Sequence, residues 1–239
     1  MNTFIGIDLG WYGKPSGLAS IEPTNSGLRL RKVARLELVD EIMDWVRDEA
    51  GKGSAVAAVD APLVITNQTG IRQAERELNR DFRRFHAGCH AANLGRPFAP
   101  KVIAFSGRLA ALGFEHCIGV KPRAGGRFQI EVHPHAASVS LFGLDRIVKY
   151  KRGSRAERAQ GLRRLRGLML SRMPALDPPL SMRLPAIPSS GNLKPVEDQI
   201  DAVFCAYIAA YWWNWGAQRN RIYGSADGAA IVVPTPAPR

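Results

Sequence analysis

Thr3-Phe-Ile-Gly-Ile-Asp-Leu-Gly10 is an apolar run of β-favouring residues, interrupted once by Asp8 and closed by glycine. A strand buried on both faces would have to dehydrate that carboxylate, at a cost on the order of several kcal/mol. Asp8 therefore needs a partner, a metal or a place at the mouth of a sheet; the plain alternative is a strand-end turn with Gly10. Gly17 to Glu22 and Leu28 to Leu38 read as two further strands, separated by the turn sequences Gly-Lys-Pro-Ser-Gly and Pro-Thr-Asn-Ser-Gly. Together they form a β-meander. From Val39 the apolar period becomes helical through Ile42, Met43, Val46 and Ala50, and Ala55 to Val59 then forms a wholly apolar strand ending at Asp60.

Downstream, Ile71 to Phe85 and Val102 to Phe114 read as helices and Phe128 to Val132 as a strand ending at His133-Pro134. Ser154 and Glu157 have capping-box spacing and open a basic helix reaching about Met173. A Pro-rich linker, 174–194, leads to a C-terminal helix that opens at Pro195 with an apolar stripe through Val196, Ile200, Val203 and Tyr207. A hairpin closes the chain, Arg221 to Tyr223 and Ala229 to Val233 around Ala226-Asp227-Gly228. The expected architecture is α/β: one domain over 1–239, its mixed sheet antiparallel first and parallel later, with helices on both faces. The ribonuclease H-like fold has this order of elements.

The 239 residues carry 33 Lys plus Arg against 21 Asp plus Glu, a net charge of +12. Ten basic residues between Arg146 and Arg172 meet one acid, Glu157, and a second cluster includes Arg72, Arg76 and Arg80. Such segments are either solvated helix faces or contacts to a polyanion, for which arginine's bidentate geometry is suited. As a nucleic-acid surface they nominate Arg72, Arg76, Arg80, Lys149, Lys151, Arg152 and Arg155. Three widely spaced cysteines exclude a disulfide framework, and the apolar stretch Ala202 to Trp215 is too short for a bilayer. With no signal-peptide pattern at the start, a cytoplasmic protein without membrane contact is expected.

Asp60 repeats the Asp8 pattern at a strand end, against an Asx turn before Pro62 as the alternative. Asp198 and Asp201, three apart on the last helix, share a face. Their mutual repulsion is relieved either by the helix N-terminus or by a divalent cation, and short carboxylate stems suit Mg²⁺ or Mn²⁺. A pair of such ions could clamp the attacking and leaving oxygens of a phosphodiester. Glu131 joins the cluster or pairs with Arg127 or Lys149. His133 is a candidate for proton transfer, beside His135, although such histidines also serve structure alone. His86, Cys89 and His90 have metal-like spacing but lack a convincing fourth ligand.

The motifs G-I-D-L-G, V-D-A-P, E-V-H-P-H-A with a following L-F-G, Y-K-R-G, and E-D-x-x-D-A-x-x-C-A-Y resemble the family called domain of unknown function 429. The resemblance runs from Phe4 to Pro234. It implies a ribonuclease H-like fold and a nuclease activity that is itself a prediction for the family. More distantly, the chain is similar to the Holliday-junction resolvase branch of that fold, which implies metal ligands at Asp8, Asp198 and Asp201. Where that branch has a glutamate, this sequence offers Asp60 or Glu131, so the fourth ligand stays open.

The expected function is thus metal-dependent cleavage of nucleic acid, DNA or RNA, through Asp8, Asp60, Asp198 and Asp201. A non-catalytic nucleic-acid-binding module of the same fold is the alternative. An actin-like ATPase or sugar kinase shares the opening G-I-D-L-G strand, yet the chain is short for two such lobes. The tryptophans Trp212, Trp213 and Trp215 are expected to pack the last helix, and no stacking platform is evident. Oligomeric state is open, a homodimer included.

Overall fold

A computed structural model describes residues 2–117, 119, 121–224 and 228–236, without the side chain of Tyr12. The strands are β1 (Thr3–Asp8), β2 (Ser16–Thr24), β3 (Gly27–Leu36), β4 (Ala55–Val59), β5 (Glu115–His116), β6 (Arg127–Val132), β7 (Leu180–Ser181), β8 (Asn220–Gly224) and β9 (Ala230–Pro234). The helices are α1 (Val39–Ala50), α2 (Gln73–Phe82), α3 (Ala99–Ala111), α4 (Pro134–Phe142), α5 (Arg155–Arg172) and α6 (Lys194–Trp215). All nine strands belong to one sheet ordered β7-β3-β2-β1-β4-β6-β9-β8, with β5 beside the first half of β6. The β1-β2-β3 meander is antiparallel, whereas β4 runs parallel to β1 and β6 parallel to β4. This is the ribonuclease H-like order expected from the sequence. No second lobe of the actin or sugar-kinase kind stands among the described elements.

Strand alternation divides the core between the two faces of the sheet. Phe4 on β1, Val56 and Ala58 on β4, and Phe128, Ile130 and Val132 on β6 pack with α4, α5 and α6. Ile5, Ile7, Ala57 and Val59 turn the other way, onto Ile42, Met43 and Val46 of α1 and Val102, Phe105 and Leu109 of α3. The α6 backbone lies unusually close to the sheet. A Cβ on Gly6 would stand 2.0 Å from the Ala202 carbonyl oxygen, and one on Gly17 would stand 1.9 Å from that of Asp198. Only glycine leaves room for this approach, which brings the acids of α6 over the ends of β1 and β2.

Several elements depart from expectation for physical reasons. Helix α4 is buried nearly all round, so it offers no apolar stripe to read. Helix α3 starts at Ala99, with Pro100 in its first turn, earlier than its apolar period suggests. The Pro-rich linker contributes β7, which pairs in parallel with β3 through Leu28 and Leu180. The terminal hairpin joins the sheet, β9 pairing in parallel with β6; its turn residues Ala226 and Asp227 lie outside the described residues. Among the described residues no helix is long and apolar enough to cross a membrane.

Candidate active site

Parallel pairing sets Ile7 opposite Val59, and the Asp60 N–H donates to the Ile7 carbonyl at 2.9 Å. Asp8 and Asp60 therefore leave neighbouring strand ends side by side, on the sheet face that α6 covers. Asp201, 1% exposed, faces them from α6. Tyr150 Oη donates to Asp201 Oδ1 at 2.7 Å, and Lys151 Nζ lies 2.9 Å from Asp201 Oδ2. Both come from the segment before α5, which is held down by a further close approach: a Cβ on Gly161 would meet the Lys149 carbonyl oxygen at 1.9 Å.

The environment drives the acids apart in proton affinity. Burial raises Asp8 well above the usual carboxylate range; Lys151 opposes that, while Asp201 and Asp60 add to it. Burial acts on Asp60 as well, but His133, Lys151 and His135 outweigh it and hold Asp60 below its ordinary value. His133 Nδ1 stands 3.8 Å from Asp60 Oδ1, an ion-pair distance, and its Nε2 is buried without a hydrogen-bond partner. Burial, reinforced by Lys151 and His133, lowers His135 to about 4, so that ring is neutral at pH 7. Burial works against the Lys151 ammonium, yet Asp201, ahead of Tyr150, Asp8 and Asp60, keeps it charged.

Asp198 belongs to a separate arrangement. Its backbone rests on Gly17, whose β3 neighbour is Arg35, and Arg35 Nε donates to Asp198 Oδ2 at 2.9 Å. Lys194 Nζ takes its other oxygen at 2.6 Å. Strand parity turns Glu131 away from α6, since Ile130 and Val132 face that helix, and it lines the same cavity as Asp60 and His133. There it receives two bonds from Arg72, 2.9 and 2.6 Å, and one from the Leu63 N–H at 3.1 Å. This corrects its expected pairing with Arg127 or Lys149.

Arg72 is likewise corrected as a phosphate contact. It is 3% exposed, with Nε bonded to Glu75 at 2.8 Å and its remaining nitrogens committed to Glu131 and the Val64 carbonyl. Arg155 donates to the carbonyls of Gly191 and Pro188, and Arg166 to those of Pro185 and Leu184. The Pro-rich segment has few partners of its own, so these arginines satisfy its backbone. Lys149, Arg152, Arg76 and Arg80 are exposed. Arg76 bonds the Ile71 carbonyl at 3.2 Å, and Arg80 lies 3.5 Å from Asp81.

The carboxylates do not fit a divalent cation as they stand. Lys151 supplies the counter-charge inside the Asp8, Asp60 and Asp201 group, and Asp198 is already paired twice. Among the described residues no three His, Cys, Asp or Glu side chains are grouped to hold a metal, the His86, Cys89 and His90 set included. Burial raises the Cys89 thiol to about 12, which keeps it protonated. The sequence reading missed Tyr150 and Arg35 as partners of the acids. Their only trace was position, in Y-K-R-G and in the basic alternation of β3.

A cavity of about 680 Å³ opens in front of Asp60, His133, His135, Lys149, Lys151 and Arg152. A basic, open wall beside carboxylates of opposed proton affinity and a histidine with a free nitrogen can bind an anion and move protons around it. No curated protein matches the chain's sequence. The RuvC structure of Thermus thermophilus is similar at 13% identity, covering 88% of this chain and 94% of that one with a TM-score of 0.38. The family model described as protein of unknown function, DUF429, matches residues 6–227, and the chain belongs to that family.

Proposed function

We propose that this protein is a nuclease that hydrolyses phosphodiester bonds of nucleic acid at Asp8, Asp60 and Asp201. The observation that carries the proposal is the convergence of these acids on Lys151, which together with Asp60 and His133 lines an open cavity at the strand ends. Lys151 pairs with a phosphate oxygen. His133 Nε2 takes the proton of the attacking water, with Asp60 stabilising the imidazolium. Asp8, which burial makes hold its proton more tightly than an ordinary carboxylate, gives a proton to the leaving oxygen as the P–O bond breaks. Asp198 acts through Arg35 and Lys194 as a positioning residue. Lys149, Arg152, Arg76 and Arg80 are the proposed contacts to the phosphate backbone, supplying affinity without base specificity.

Mg²⁺ or Mn²⁺ suits oxygen donors of this kind, but it would enter the cluster only if Lys151 withdrew from Asp201. We place the protein, with its three free thiols, in the cytoplasm and as a single domain. A second proposal, a binding module without turnover, is favoured by one observation: Asp198 and Asp201 each have a lysine or arginine within ion-pair distance, so neither is left free to hold a metal.

The test is incubation with labelled single-stranded, duplex and branched DNA and with RNA, with and without Mg²⁺ or Mn²⁺. Cleavage by the wild type that Asp8→Asn abolishes supports the nuclease; cleavage that persists undiminished removes this site. Salt-sensitive binding with no product under any condition supports the module.

A further inference from the structure

The turn between β1 and β2 presents Trp11 three residues beyond Asp8. It is held by the Gly10 N–H donating to Ser16 Oγ at 3.0 Å and the Lys14 N–H donating to the Trp11 carbonyl at 3.3 Å. Gly10 is packed so closely that a Cβ there would lie 1.9 Å from the Lys14 carbonyl oxygen. Trp11 is thus fixed in place, yet 37% exposed. The other tryptophans are accounted for. Trp45 and Trp212 are buried, and Trp213 and Trp215 donate to the carbonyls of Ala124 and Asp177. Phe98 braces the Trp11 ring from its side, centroids 4.3 Å apart at 62°.

Trp11 lines two cavities at once: the one in front of the carboxylates and a second of about 330 Å³ behind it. The walls of the second are apolar, formed by Leu9, Ile42, Phe98, Val102 and Phe105. Its polar margin is mostly basic. Lys14 and Lys101 have no ion-pair partner among the described residues, Arg108 pairs with Asp40 at 2.5 Å, and Glu37 is the one acid.

We propose that the cavity behind Trp11 is a subsite for one unpaired nucleobase of a nucleic-acid strand whose backbone passes the carboxylates. An aromatic wall takes the face of a base, apolar sides take its edges, and two unpaired ammonium groups at the rim match the phosphate. The occupant is a strand segment because Trp11 belongs to both cavities, so a base in one places a neighbouring phosphate toward the other. The subsite rests on the nucleic-acid assignment above and adds what the basic segments lack, a stacking platform beside the site.

The test measures binding, not cleavage. A fluorescein-labelled single-stranded oligonucleotide is titrated with the intact protein, as wild type, Trp11→Ala, Trp11→Phe and the pair Lys14→Ala with Lys101→Ala. Each is repeated on the same strand with one abasic position scanned along it. Loss of one stacked base is expected to weaken Trp11→Ala by about 5- to 150-fold, with Trp11→Phe close to wild type. One abasic position should weaken the wild type by a similar factor and leave Trp11→Ala unchanged, which a misfolded variant would not reproduce. The lysine pair should lower the salt slope. Equal binding by wild type and Trp11→Ala overturns the subsite, as does an abasic scan without a sensitive position. Asp8-dependent cleavage would then still uphold the nuclease, whereas a Trp11 effect without cleavage keeps the subsite and removes the nuclease. No binding of any strand by the wild type overturns both.

Discussion

Lys151 Nζ lies 2.9 Å from Asp201 Oδ2, and the same ammonium offsets the charges of Asp8 and Asp60. A side chain of the protein thus holds the position of charge that a divalent cation would need. Lys151→Met keeps much of the stem and removes the charge. The Lys151 side chain is 34% exposed, so solvent screens the pair, and its loss is expected to cost about 1 kcal/mol. Mn²⁺ should then restore part of that stability, because a cation binding only the folded form raises the melting temperature. The measurements are thermal melts and calorimetric Mn²⁺ titrations of wild type, Lys151→Met and Lys151→Met with Asp201→Asn. Tighter Mn²⁺ binding in the single variant, lost in the double, is the expected result; equal affinity in wild type and single variant would show that Lys151 does not compete.

Asp8 makes stability depend on pH in a direction opposite to that of an ordinary salt-bridged acid. Burial raises its folded pKa above the unfolded value of 3.8, so the folded form holds the proton more tightly. That contribution is fully present below pH 3.8 and is lost as pH rises through the folded value. Asp8→Asn cannot ionise. It is expected to melt above the wild type at pH 7, with the difference shrinking toward pH 4. A difference that stays constant from pH 4 to 7 would contradict a raised Asp8.

The meander and the mixed character of the sheet were legible because the opening strands alternate and β4 is wholly apolar. Asp8, Asp60 and Asp201 were legible as acids in strands and on a helix face, where a charge needs a reason. Partnerships were not. Arg72 lies in a run of arginines at helical spacing, and nothing in that run distinguishes a solvated guanidinium from one buried against Glu131, 59 residues away. Lys151 stands in Tyr-Lys-Arg-Gly between two other basic residues, and only the seating of α5 on Lys149 and Tyr150 brings its ammonium to Asp201. Trp11 sits in a turn, and its exposure depends on how Phe98 meets it from α3's entry. Each is decided by contacts between distant segments, which local composition does not encode.

Two glycine-to-alanine substitutions separate close approach from intrinsic helix preference. Gly6 lies where β1 meets α6, and its added methyl would stand 2.0 Å from the Ala202 oxygen and 2.2 Å from the Ala206 nitrogen, both backbone atoms. Neither can move without shifting α6 and the Asp201 it carries. Gly6→Ala is expected to cost on the order of 3 kcal/mol or more by overpacking. Gly167 is exposed in the middle of α5, and a Cβ there meets nothing within 4 Å. Gly167→Ala should instead stabilise by about 0.5–1 kcal/mol, since alanine loses less backbone freedom on entering a helix. Urea unfolding of the two variants beside the wild type checks both signs. A Gly6→Ala protein as stable as the wild type would mean that α6 does not rest on β1 at this distance, and the seating of Asp201 beside Asp8 would fall with it.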